Sequence, residues 1–189
     1  MEDVNFEINN KPMTIKMWDR NPDEDLFIGN KTSCCTAIGT GENGAATPAY
    51  LLSNAFNVVE LFDEAGNAVG MSRIFMADID EKPSIIMDNI ELSQNFMKYL
   101  DKENKKKVRD NFFKYMNNLA KQITGDDDSQ VYFSTSYLKV DEADLEKTEK
   151  TADFIGEVSQ ESIYINCYKG WNNVHYLNDK PIELYKVPK

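Results

Sequence analysis

The sequence is poor in the residues that build metal and disulfide sites. It holds one histidine, His175, and three cysteines, Cys34, Cys35 and Cys167, among 189 residues. An odd cysteine count with two residues adjacent makes a poor disulfide framework and points to a reducing, cytoplasmic setting. Those four side chains also lack the close pairs that structural zinc sites use, so no metal is expected. No apolar run approaches the ~18 residues that span a bilayer, which argues against a membrane protein. The opening residues, Met1-Glu2-Asp3-Val4-Asn5, carry no basic and apolar leader, so no secretory signal is read there. Basic residues are scarce as well: 21 Lys and Arg stand against 32 Asp and Glu, a net charge of −11. That balance argues against direct nucleic-acid binding, which needs a basic face on the phosphates.

What is present is ordinary globular composition, 41% apolar and 28% charged, enough to bury a sizeable core. A single domain over 1–189 is expected, with an N-terminal hairpin and short helix over 1–55 and a core over 56–189. Val4, Phe6 and Ile8 alternate, as do Met13, Ile15 and Met17, so residues 3–18 read as a hairpin. Cys34 to Ile38 reads as a short strand. Gly39-Thr40-Gly41-Glu42-Asn43-Gly44 lacks the Lys-Ser/Thr of a phosphate loop and reads as a flexible connection. Thr47-Pro48 opens a short helix through Leu52. Val58–Phe62 and Val69–Met76 flank a turn and form the clearest hairpin. Ile85 begins an apolar strand that runs to Ile90 or Leu92, and Ser93 caps a short turn. Val108, Phe112, Met116, Leu119 and Ile123 fall on one helical face, stopped by Gly125. A strand follows over 131–140, a polar helix over 141–153, and strands at Ile163–Cys167 and 182–187. The fold class is α+β (mixed α/β): a central, mostly antiparallel sheet with one long helix and two to three shorter ones.

From Val58 onward this order resembles the GNAT acyltransferase fold. There a hairpin leads to a central strand, the main helix, a fifth strand, another helix and two final strands. The matching pieces are Val58–Met76, Ile85–Leu92, Arg109–Ile123, Val131–Val140, Asp144–Asp153, Ile163–Cys167 and Ile182–Val187, with the strand end Met87-Asp88-Asn89-Ile90. The resemblance implies an N-acyltransferase that uses acetyl-CoA. In that family a glycine-containing turn opens the main helix and holds the pyrophosphate on backbone N–H groups. Here the region reads Ser93-Gln94-Asn95-Phe96-Met97-Lys98-Tyr99-Leu100, and glycine is absent between Gly70 and Gly125. Under this alternative Asp88 or Glu91 is the general base and Tyr137 the general acid. Lys105, Lys106, Lys107 and Arg109 would then meet the phosphates with side chains.

With the glycine turn missing, the acidity directs the main expectation. It is an acidic protein-interaction module that needs no cofactor and inhibits or regulates a basic partner. A nucleic-acid-handling enzyme is such a partner, as for anti-CRISPR and anti-restriction proteins. The residues expected to engage it are Asp23, Glu24, Asp25, Asp126, Asp127, Asp128, Asp141, Glu142 and Asp144. Mimicry of a nucleic acid requires these carboxylates to gather on one face, because the net charge averages only about one per 800 Å² of surface. Cys34 or Cys35 with His175 and Asn178 or Asp179 follows the order of a thiol enzyme. The plainer reading makes both cysteines small buried strand residues.

Overall fold

A computed structural model describes residues 2–19, 25–32, 34, 36–41, 44, 48, 56–127, 129–134, 145–148, 153–154, 176–177, 180–181 and 184–189. The chain opens with β1 (Val4–Ile8) and β2 (Lys11–Met17), then a short helix α1 (Ile28–Thr32). Three long strands follow: β3 (Phe56–Phe62), β4 (Ala68–Ile79) and β5 (Lys82–Leu92). A single turn α2 (Gln94–Lys98) leads into the long helix α3 (Lys102–Thr124). Short strands complete the described chain: β6 (Val131–Ser134), β7 (Glu146–Thr148), β8 (Asp153–Phe154), β9 (Tyr176–Leu177), β10 (Lys180–Pro181) and β11 (Leu184–Lys186).

The main sheet runs β1-β2-β3-β4-β5-β6-β11-β7, with β8 added beside β4, and β9 pairs β10 separately. Every pairing in the main sheet is antiparallel except that of β5 with β6. Two of its hairpins turn on paired left-handed residues, Asn9–Asn10 (φ 52°, 62°) and Asp80–Glu81 (φ 53°, 62°). Asn and Asp tolerate that conformation, and such turns match the twist of the flanking strands.

Helix α3 forms where the apolar stripe was read, and runs past it at both ends. Asp101 caps it by accepting from the Asn104 N–H at 2.8 Å, and Gly125 closes it at φ 70°. Val108, Phe112, Met116 and Leu119 are buried against one sheet face, while Ile123 in the last turn is exposed. They pack on Val4, Ile8, Met13, Ile15, Val59, Leu61, Ile74, Ile85, Met87 and Ile90. Each fully buried side chain of this size contributes about 1.5–3 kcal/mol.

Two local expectations are corrected. Cys34 to Ile38 is not a strand: the segment turns, with Cys34 N–H donating to Gly29 O and Ala37 N–H to Cys34 O. Asn30 clamps the turn by exchanging two 3.0 Å hydrogen bonds with the Ile38 backbone. The polar helix over 141–153 is also corrected, because Glu146–Thr148 pairs with β11 and Asp153–Phe154 with β4. Inter-strand pairing overrides the local helix signal there. Residues 49–52, 135–144 and 163–167, where further elements were expected, lie outside the described residues.

Candidate functional site

Strand alternation gives the sheet a second face, turned away from α3. Glu60 on β3 is opposite Met71 on β4, and Met71 is opposite Glu91 on β5. Two carboxylates thus flank one buried methionine, about two inter-strand spacings or ~10 Å apart at the backbone. A bulge shapes the adjoining row. Ser72 pairs with Ile90 but Ile74 pairs with Met87, so Arg73 faces both Asp88 and Asn89. The bulge brings Met87 and Ile90, three residues apart, onto the α3 face and leaves Asn89 and Glu91 on the other.

The turn over residues 34–38 covers this second face and supplies polar atoms to it. Arg73 is 5% exposed. Its Nη2 donates to Cys34 Sγ at 3.3 Å and to the Thr36 hydroxyl. The Thr36 backbone N–H donates to the same sulfur at 3.3 Å, and the Thr36 hydroxyl lies 3.1 Å from it. Gly29 makes this cover possible. A Cβ there would stand 2.8 Å from Ala37 N and 2.9 Å from the Thr36 carbonyl.

Burial pushes the Glu91 carboxyl up to about 8; the Cys34 sulfur adds to the rise and the Arg73 guanidinium opposes it. Its Oε2 is buried with no hydrogen-bond donor on it. Asn89 Nδ2 donates to Glu91 Oε1 at 3.3 Å. With the amide turned over, the nitrogen instead donates to both Asp88 carboxylate oxygens at 3.1 and 3.2 Å. That orientation offers the amide oxygen to a protonated Glu91. Glu60 is raised to about 7, first by burial and then by Asp25, against the pull of Lys31 and Lys16.

Glu91 lies four residues beyond Met87 on β5. The parallel ladder of β5 with β6 ends at Met87↔Phe133. β5 continues to Leu92, whereas Ser134 of β6 keeps its partner Leu184 on β11. A hairpin, a central strand with one parallel neighbour, and a long helix between them are now in view. The fold is GNAT-like.

No protein-family profile and no curated protein matches the sequence. Solved structures do match the GNAT-like chain. One is an aminoglycoside 6'-N-acetyltransferase from Acinetobacter baumannii, at 9% identity and TM-score 0.43, with 69% of this chain and 83% of that chain covered. A spermidine N-acetyltransferase variant from Vibrio cholerae matches at 12% identity and TM-score 0.44, covering 92% of this chain and 91% of that one. AtaTR bound with AcCoA matches at 9% identity and TM-score 0.45, with 92% and 91% covered.

The expectation of an acidic inhibitor is corrected. The matching structures above are described as acetyltransferases or as bound with AcCoA. Of the carboxylates named for mimicry, the three that are described do not form one exposed cluster. Asp25 is buried on the sheet face opposite α3, beside Glu60. Asp126 and Asp127 are exposed beyond the end of α3, and Asp127 pairs with Lys121 at 2.5 Å. Asp23, Glu24, Asp128, Asp141, Glu142 and Asp144 lie outside the described residues.

Of the alternative site residues, Glu91 and Asp88 come together through Asn89. Tyr137 lies outside the described residues. Arg109 is corrected as a phosphate ligand: it is 2% exposed, stacked 5.4 Å over Phe113 and bonded to Asp110. Lys106 pairs with Asp110 at 2.9 Å. Lys105 and Lys107 point about 200° apart around the helix, so they share no phosphate. Asp101 and Glu103 occupy the first turn of α3, where a phosphate would need positive charge. Among the described residues these four side chains gather no phosphate site at the start of α3. Among the described residues no group of His, Cys, Asp and Glu gathers to hold a metal, and no helix is long and apolar enough to cross a membrane. Sequence reading missed Arg73 and Cys34 as neighbours of Glu91. The only trace was an arginine inside the strand Val69–Met76.

Proposed function

We propose that this protein is an N-acyltransferase that takes its acyl group from a thioester of the acetyl-CoA class. The reading rests on Glu91: a carboxyl pushed up to about 8 by burial on β5, with Arg73 and Cys34 beside it. A general base works best when its pKa lies near the operating pH. The thioester is a substrate and supplies the activated carbonyl. The residues of this chain do the proton work. Glu91 in its carboxylate form takes a proton from the attacking amine, Arg73 holds that charge in place, and Asn89 links the carboxyl to Asp88.

The test is release of free CoA from acetyl-CoA on addition of a panel of primary amines, with the amide product confirmed by mass. Glu91→Gln is expected to lower kcat by about 10²–10⁴-fold, the worth of general-base catalysis. Absence of amine-dependent CoA release across the panel, or full activity in the Gln variant, overturns the reading.

A further inference from the structure

β1 is one end of the main sheet, and among the described residues no strand pairs with its outer edge. The turn that follows it fixes which backbone groups that edge presents. Asn9–Asn10 is a two-residue hairpin turn, so the closing pair Ile8↔Lys11 exchanges hydrogen bonds, and every second pair after it does the same. Val4, Phe6 and Ile8 therefore direct their N–H and C=O to β2, while Asn5 and Glu7 turn theirs outward. The continuation of β2 obeys the same alternation: Trp18 N–H donates away from β1, to Val58 O beside β2, at 2.7 Å.

Sheet edges are blunted in most proteins by proline, lysine, a bulge or extreme shortness. The far end of the described sheet, β7, has three residues and carries Lys147. β1 has none of these devices. Val-Asn-Phe-Glu-Ile holds no proline or lysine, and its register with β2 is unbroken. Val4 and Ile8 are buried on the α3 face, and Phe6 packs half-buried between them. Asn5 and Glu7 are exposed on the other face. At the turn end of the edge stands Tyr99, 76% exposed, whose carbonyl accepts from Asn9 Nδ2 at 3.4 Å. An exposed tyrosine beside an open edge is the kind of side chain that anchors an interface.

We propose that β1 is a dimer interface: a second copy of this chain adds its own β1 antiparallel to the first, across a twofold axis at Phe6. An isologous contact sets the strand against itself, so charge selects the register. An axis at Asn5 opposes Asp3 to Glu7, and an axis at Glu7 opposes Glu7 to itself; like charges so placed destabilise a sheet. An axis between residues sets an outward-facing residue against an inward-facing one, and axes at the ends of β1 pair fewer residues. The axis at Phe6 opposes no like charges. Asn5 then meets Glu7 of the second copy, and Glu7 meets its Asn5, so the outward backbone groups of both strands are satisfied. Phe6 meets Phe6 on the α3 face, and Val4 meets Ile8. Glu2 of each copy falls opposite Asn10 of the other, next to Lys11. The residues assigned to acyl transfer lie on β4 and β5, so the interface stands apart from that reading.

The experiment is sedimentation velocity of the full chain over a range of concentrations, with amide hydrogen exchange read by NMR in the same samples. A reversible monomer–dimer equilibrium is expected. Exchange of the Asn5 and Glu7 N–H should slow as the dimer fills, while the Phe6 N–H, already bonded to β2, stays protected throughout. Asn5→Lys sets a lysine opposite Glu7 at both ends of the pairing and should tighten the dimer about 2–30-fold. Asn5→Asp keeps an acceptor for the Thr14 hydroxyl, now at 2.8 Å, but opposes two carboxylates and should weaken the dimer by a similar factor. Asn118→Lys, exposed on α3, changes the net charge equally and should do neither. A monomer at every concentration overturns the proposal. So does a dimer that leaves Asn5 and Glu7 exchange unslowed, or growth beyond a dimer, because a twofold edge pairing closes. Weakening by Asn5→Lys overturns the axis at Phe6. The exchange measurement on the wild-type chain decides the matter even where a variant fails to fold.

Discussion

Glu60 is 6% exposed, and this gives the protein an alkaline weakness. Its carboxyl ionises at 4.5 when ordinary and at about 7 when folded. Folding therefore favours the neutral form. The stabilisation is complete below pH 4.5 and is lost as the pH rises to about 7. The gap of about 2.5 corresponds to about 3 kcal/mol at 1.36 kcal/mol each. Replacing Glu60 by Gln keeps the shape and removes the charge. At pH 5 the variant and the wild type should melt within a few degrees of one another. At pH 8.5 the variant should be more stable by about 3 kcal/mol, or ~6–12 °C in Tm for a chain of this size. Scanning calorimetry across that range provides the comparison. Parallel Tm curves for the two proteins would refute the reasoning, because they would mean that Glu60 is solvated or compensated at every pH.

Other expectations follow from single contacts. Gly29→Ala drives a methyl into the Thr36–Ala37 backbone and should cost about 1–3 kcal/mol, read as a lower urea midpoint; an unchanged midpoint would mean the turn has room to move. Phe112→Ala removes a ring with 0% exposure between α3 and the sheet and should cost about 3–5 kcal/mol. Arg73→Met removes the cation that holds Glu91 down, so the midpoint of the pH–rate profile should move above its starting value of about 8, while Arg73→Lys should move it less. A midpoint that stays or falls would count against the Arg73–Glu91 coupling.

The sequence announced the scaffold more clearly than the chemistry. The α3 stripe, its glycine stop and the two hairpins carry strong local signals, because periodicity and turn residues are themselves local physics. Cys34 and Arg73 are 39 residues apart, and only the sheet register and the tie from Asn30 to Ile38 bring them together. The β4–β5 bulge is likewise silent in the sequence: Met87-Asp88-Asn89-Ile90 reads as a strand end, yet strict alternation would place Ile86, Asp88 and Ile90 on one face. Net charge misled for a related reason. It counts Asp25 and Glu60 as surface carboxylates, whereas both are buried and Glu60 is held partly neutral at physiological pH.

The central claim is that the Glu91 carboxyl moves the proton during acyl transfer. The most direct measurement is the pH dependence of kcat/KM for amine acylation by acetyl-CoA, in the wild type and in Glu91→Gln. The account predicts a wild-type rate that climbs to a plateau with a midpoint near the Glu91 value of about 8. The Gln variant should be slower throughout and should lack that limb, retaining only the ionisation of the amine itself. Profiles of the same shape and height in both proteins would contradict it.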